Sequence, residues 1–352
     1  HFIMPNQNAR TCPVTSDELE TVKQHIINGE DIVDNSSYDD VYYYHPGGEL
    51  RITQETQRES DYVRYTDYET AETGVRYTDK NGTWTRSTFT SRADDVTITK
   101  ISASDTGTKV DLTLSFDDIS VMANCNDGNE KDMQYKKIVA DDCEYIAFVA
   151  HYPNYENSEL KNGGYATLTY VITQGGTKEK ISGKAVDDEQ YAAEDNPQIQ
   201  ITDADQVYLI TVSDRTYEMG ALADFAAAQE YALVNELADD CKAVAQKYSQ
   251  SGAFDYDAAL NAHTALHQPQ FDAVTFTLNG GSSNASNETL LKNARGEDDI
   301  SSALAQRAFY SGRYAYLCCA GTSTSRLYGM WTGEWNTSWG SKYTMDANVN
   351  LQ

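Results

Sequence analysis

Positive charge is scarce in this chain. Against 54 Asp and Glu stand only 27 Lys and Arg, a formal net charge of −27. A field of that sign repels nucleic acid and anionic membrane surfaces, so neither is an expected partner, while a neutral ligand is not excluded. No run approaches the roughly 18 apolar residues that a membrane-crossing helix needs. Mean hydropathy is −0.60, so membrane insertion is not expected. Cysteine is limited to 6: Cys12, Cys125, Cys143, Cys241, Cys318 and Cys319. No CxxC occurs, so a zinc ribbon is not indicated. The glycine pairs Gly163-Gly164, Gly175-Gly176 and Gly280-Gly281 lack the strand–GxGxxG–helix context and the Walker lysine, which excludes a phosphate cradle. There is no GxSxG nucleophile elbow and no signal-peptide pattern at His1. No cofactor or metal is called for.

A length of 352 residues allows two or three domains. Tyr is abundant at 25, and with the Thr, Asp and Asn content it favours β-rich extracellular material over a disordered acidic tail. Residues 14–29 predict a short helix: Thr15 and Glu18 have capping-box spacing, and Asn28-Gly29 is a stop. From Glu49 to about Val212 the pattern is strands. Gly74–Thr78 and Thr83–Phe89 alternate around Asn81-Gly82, a strong hairpin signal. Leu50–Thr53, Tyr62–Tyr65, Val96–Ile101, Val110–Phe116, Tyr145–Ala150, Ala166–Ile172 and Val207–Val212 add further strands. Period-2 alternation with polar turns predicts sheets with one wet face in a large antiparallel sandwich. After Asp214 the period lengthens. Ala221–Ala245, Tyr256–His267 and Ser301–Leu317 read as helices, with one late strand at Phe271–Leu278 and a polar loop at Gly280–Thr289.

Cys125 and Cys143 bracket a polar segment and are either a loop clip or free thiols. Cys318-Cys319, in an apolar run, read as buried small residues. His263 and His267 share a helix face at i, i+4. Thr264, Ala265 and Leu266 lie between them, so the pair lacks the HExxH acid, and a structural or surface role is the plainer reading. Carboxylates are too abundant for spacing to single out a hydrolytic pair. Three of the 4 Trp, namely Trp331, Trp335 and Trp339, fall in one Gly-rich stretch followed by Asp346, Asn348 and Asn350. Flat rings beside short polar side chains suit a sugar ring, and equally a packed core.

Phe309–Tyr314, Arg326–Trp331 and Trp339–Asn348 resemble glycoside hydrolase family 95, whose members commonly carry F-x-x-G-R-Y, L-Q-G-I-W and W-G-S-K-Y-T-x-N-x-N. Tyr44–Ile52, Gly74–Thr99 and His263–Leu278 resemble its other segments in order. The resemblance implies a multidomain α+β chain. An antiparallel β-supersandwich spans 1–215, a mostly helical linker 216–292, and the start of an (α/α)6 catalytic barrel 293–352. It implies inverting exo-hydrolysis of terminal α-L-fucosyl residues on oligosaccharides or glycoprotein glycans, outside the cell or at its surface. Asn348 and Asp346 take the water-positioning places, Asp346 standing where the family has Asn. Thr344 takes a place held by His or Thr, where a small residue admits the extra hydroxyl of L-galactose. Trp331 and Trp339, with Thr344, take substrate-binding places, the two Trp either touching sugar or shaping the loop from behind. The family's acid Glu and a base Asp lie beyond that loop and its opening strands precede His1, so the chain is expected to be an internal fragment, inactive alone. The alternatives are an α-L-galactosidase of the same family, a non-catalytic carbohydrate-binding protein and an adhesin-like sandwich.

Overall fold

Alternating apolar residues build two antiparallel sheets that close on one core. The computed structural model describes residues 2–5, 16–29, 44–104, 107–120, 133–152, 163–184, 195–216, 225–280, 283–295, 301–319 and 347–348. A small ladder joins β1 (Phe2–Pro5) to β2 (Tyr44–Gly48), and α1 (Ser16–Ile27) ends at Asn28-Gly29, where Gly29 takes φ +68°. The small sheet uses β3 (Leu50–Thr53), β8 (Val110–Phe116), β12 (Thr177–Gly183) and β13 (Asn196–Ala204), in the order β12-β13-β8-β3. The large sheet uses β4 (Ser60–Thr66), β5 (Thr73–Thr78), β6 (Thr83–Thr90), β7 (Thr97–Ala103), β9 (Tyr135–Val139), β10 (Tyr145–His151), β11 (Gly164–Gln174) and β14 (Gln206–Arg215). Its order is β4-β5-β6-β7-β14-β11-β10-β9.

The hairpin expected at Asn81-Gly82 is present, with Tyr77 opposite Trp84 and Thr78 opposite Thr83. Its turn is held by Asp79, whose Oδ1 accepts from the amides of Asn81 at 2.8 Å and Gly82 at 3.1 Å, and from Trp84 Nε1 at 3.0 Å. Burial pushes the Asp79 carboxyl up, but these hydrogen bonds and one from the Gln57 amide outweigh it, so its pKa is lowered. At the sheet edge β4 is exposed along its length. A register shift between Ser60 and Val63 bends it, with Asp61 at φ +51°. Such an irregularity protects an open edge from pairing with another chain.

The wet face that alternation predicts for the sheets is missing from the centre of the large one. In β10, Ile146, Phe148 and Ala150 join Leu114, Phe116, Ile199 and Leu209 between the sheets. Ala147 and Val149 join Ala166, Leu168 and Ile210 on the opposite face. That second face is covered by α2 (Ala227–Lys247), whose buried stripe is Leu233, Val234, Leu237, Ala238, Cys241 and Val244. A strand covered on both faces reads as a continuous apolar run, which Tyr145–Ala150 is. Strands β9, β12 and β13 are interrupted by Lys, Glu, Pro or Gln, and their pattern is not read as strand in the sequence. Cys143 is a free, buried thiol; Cys125 lies outside the described residues.

Phe148 has 0% exposure and lies against Phe116 and Tyr135, with ring centroids at 6.0 and 5.5 Å. Phe148→Ala is expected to cost about 3–5 kcal/mol through lost burial and the cavity left behind. Equilibrium urea unfolding checks this as a lower midpoint at unchanged m value.

Candidate active site

A tight hairpin, β15 (Ser249–Gln250) with β16 (Ala253–Phe254), turns the chain from α2 into α3 (Tyr256–Asp272). Asp255 caps α3, its side chain accepting from the Ala258 amide at 2.9 Å. One face of α3 is buried: Tyr256, Ala259, His263, His267 and Phe271. The helix runs past Pro269 to Asp272, beyond the end expected at His267. Its orphan carbonyls at Gln270 and Phe271 are taken by the Arg313 guanidinium, the Phe271 oxygen at 2.8 Å.

Arg313 belongs to α5 (Ser302–Cys319), which also explains why no strand forms at Phe271–Leu278. The first two residues of that stretch end α3. Beyond them the Phe276 amide donates to Tyr310 Oη at 3.0 Å and the Leu278 amide to Gln306 Oε1 at 3.1 Å. Side chains of one helix thus satisfy donors that a strand partner would have used. The loop expected at Gly280–Thr289 holds the start of α4 (Asn287–Ala294), capped by Ser286, which accepts from the Thr289 amide at 3.2 Å. Ser286 and Thr289 with Leu290 behind them were the available signal. Cys318 is exposed and Cys319 half-buried rather than both buried, and only Ala303 of α5 is buried.

His263 and His267 are both 1% exposed and their rings stack at 5.5 Å. Each uses Nδ1 as an acceptor for Arg92, His263 from its amide at 3.0 Å and His267 from its Nε at 3.4 Å. His267 Nε2 bonds the Tyr68 carbonyl at 2.9 Å. Burial, then His267 and Arg92, lowers the His263 pKa to about 4. Burial also lowers that of His267. The pair is structural, and its acceptor nitrogens are committed to an arginine.

The buried carboxylates among the described residues are structural as well: Asp79, Asp117 and Glu230. Asp117 receives Arg51 in a two-point fork, with Nε at 2.9 Å. Glu230 receives Lys136 and His151, the latter at 2.6 Å. Of the candidate site residues, Asn348 is half-buried and follows an exposed Ala347. Thr344, Asp346, Trp331 and Trp339 lie outside the described residues.

The sandwich, the helices packed on it and the motif-bearing end of the chain can now be compared with known proteins. The family model described as glycosyl hydrolase family 65, N-terminal domain, matches residues 6–220. The model described as glycosyl hydrolase family 95 catalytic domain matches residues 255–352. Over more than half of its length the chain belongs to the family described as glycosyl hydrolase family 65, N-terminal domain, and in the segment that follows it resembles the family 95 glycoside hydrolases. Its β domain is of the type named for family 65, and a helical region follows it. No curated protein matches the chain. Among solved structures, a protein assigned as kojibiose phosphorylase from human microbiome aligns at TM-score 0.39 and 8% identity, over 63% of this chain and 27% of its own. A bacterial glucoamylase complexed with acarbose aligns at TM-score 0.32 and 12% identity, over 60% of this chain and 29% of its own. The chain therefore spans under a third of either protein.

The family 95 match begins at α3, so the contacts between α5 and the end of α3 lie inside it. Tyr310→Phe would leave the Phe276 amide without its acceptor, at an expected cost of about 1–3 kcal/mol. The check is a lower thermal midpoint together with faster amide exchange at 274–278, the strands of the large sheet staying protected.

Proposed function

We propose that this chain belongs to an exo-glycosidase that removes terminal α-L-fucosyl residues from oligosaccharides or glycoprotein glycans, with inversion, outside the cell. The observation that carries the reading is the family 95 match over 255–352, which takes in the stretch from Trp339 to Asn348. In inversion, water attacks the anomeric carbon from the face opposite the leaving oxygen. The bond to that oxygen breaks as an acid protonates it, and a base takes the water proton. The Asn348 amide oxygen accepts a hydrogen bond from the water but cannot take its proton at neutral pH, so a carboxylate must share the task. Asp346, two residues before Asn348, offers one. Ionised, Asp346 only accepts, and so loses the NH2 donor of the Asn it replaces. Trp331 and Trp339 offer aromatic faces suited to a sugar ring.

Thr344 favours a second substrate. A small side chain beside the sugar C6 leaves space for the hydroxyl that L-galactose carries and L-fucose lacks, so an α-L-galactosidase of the same family is the second reading.

Aryl α-L-fucoside and aryl α-L-galactoside assayed side by side separate the two; faster turnover of the galactoside transfers the assignment to it. Proton NMR during turnover is expected to show the β anomer of the free sugar before mutarotation, and an α anomer first overturns inversion. Asn348→Ala is expected to lower kcat by about 100-fold or more. Sugar binding without turnover of either glycoside would instead mark a non-catalytic carbohydrate-binding protein.

A further inference from the structure

The turn between β6 and β7 is joined to two helices that are far from it in sequence. Arg92 donates its amide to His263, its Nε to His267 and its Nη2 to the Leu317 carbonyl at 2.9 Å. The first two acceptors sit on α3 and the third in the last turn of α5. Arg92 thus fixes the end of α5 against the β domain, and the sequence runs on from that end to the stretch that contains Asn348.

We propose that Arg92 is a positioning residue in a pH-gated latch, closed while His263 and His267 are neutral and released when they gain protons. The latch is a property of the chain itself; its effect on catalysis rests on the glycosidase reading.

The reason is donor and acceptor count. A neutral imidazole presents one acceptor nitrogen, and in both rings Nδ1 gives it to Arg92. A protonated imidazole has two donors and no acceptor. Each proton would therefore set N–H against N–H and place a second cation beside a guanidinium that stays charged. The surroundings supply little compensation. From the turn after β4 come Asp67, the Tyr68 carbonyl and the Thr70 carbonyl. From α3 itself comes Asp272. From α5 come Tyr314, whose ring meets that of His267 edge-on at 6.0 Å, and Cys318. Phe89 lies against His263 at 5.4 Å and Phe271 against His267 at 6.2 Å. Neither carboxylate takes either histidine in an ion pair, and Asp67 Oδ1 is engaged by the Glu69 and Thr70 amides.

The sign follows. Both folded pKa values lie below the free imidazole value, His263 at about 4. The folded junction is therefore at full strength above the unfolded pKa of roughly 6.5. It weakens as pH falls from there towards the folded value.

The test is amide hydrogen exchange by mass spectrometry on the 352-residue chain at pH 7 and pH 5, corrected for intrinsic rates. In the native chain, protection at 312–319 and 260–272 is expected to fall between pH 7 and 5, with β10 and β14 unchanged. Arg92→Ala is expected to raise exchange in the same segments about tenfold or more at pH 7, and to remove most of the further pH dependence. A merely structural arginine would shift protection equally at both pH values, and that result overturns the latch, as does native protection that ignores pH. If Arg92→Ala loses protection in β10 and β14, and so fails to fold, Arg92→Lys is judged by the same two criteria. Glycoside turnover, measured separately on the enzyme that contains this chain, keeps the two readings apart: failure of turnover there with a responding latch counts against the glycosidase reading alone.

Discussion

One turn, Ser91–Val96, decides how the β domain meets the helices. Arg92 spends its donors on neutral acceptors across sequence separations of 171, 175 and 225 residues. Two residues on, Asp94 accepts from Ser91 Oγ at 2.8 Å, Lys247 Nζ at 2.6 Å and Tyr248 Oη at 2.9 Å, at the end of α2. Burial pushes the Asp94 carboxyl up, and these partners bring its pKa below the ordinary value. A two-residue step thus sends an anion to α2 and a cation to α3 and α5. Remove that step and the sandwich keeps its core, but the helices lose their shared reference.

The parts of this arrangement that sequence shows are the local ones. The hairpin around Asn81-Gly82 announces itself because turn chemistry and alternation agree within one short stretch. The double burial of β10 does not, since it depends on α2 arriving from about eighty residues later. Strand β12, Thr-Lys-Glu-Lys-Ile-Ser-Gly, is mostly polar because it lies at the edge of its sheet, where charge discourages further pairing. The strand expected at Phe271–Leu278 fails for the opposite reason. Its alternation is real, but Tyr310 and Gln306 satisfy its backbone from a helix. His263 and His267 were legible as a shared face and not as acceptors, because their donor lies on a distant turn.

The candidate site was legible only through whole motifs. With 54 acidic residues, no spacing isolates a catalytic carboxylate. The structure narrows this from the other side. Asp79 closes a turn, Asp117 pairs with Arg51, and Glu230 ties β9 and β10 to the first turn of α2. Each of these carboxylates is held by donors of the fold, and for Asp79 and Glu230 those partners lower the pKa, the opposite of the raised value a general acid needs. The buried acids of the described sandwich are therefore occupied in holding it together.

That region is coupled to the sandwich by rings rather than by a tether. From Phe89 on β6 the sequence of neighbours runs to His263 at 5.4 Å, His267 at 5.5 Å, Phe271 at 6.2 Å and Tyr310 at 5.6 Å. The three middle members occupy one face of α3 at intervals of four residues, the spacing at which helical side chains lie one above another. Such a stack fixes both the tilt of α3 on the sheet and the height at which α5 crosses it, because closely packed rings have few alternative arrangements. Two of its members are titratable, and an all-aromatic stack would be the simpler solution for stability alone. Histidine adds what Phe lacks, an acceptor aimed at Arg92, so the same residues that space the helices also fasten them.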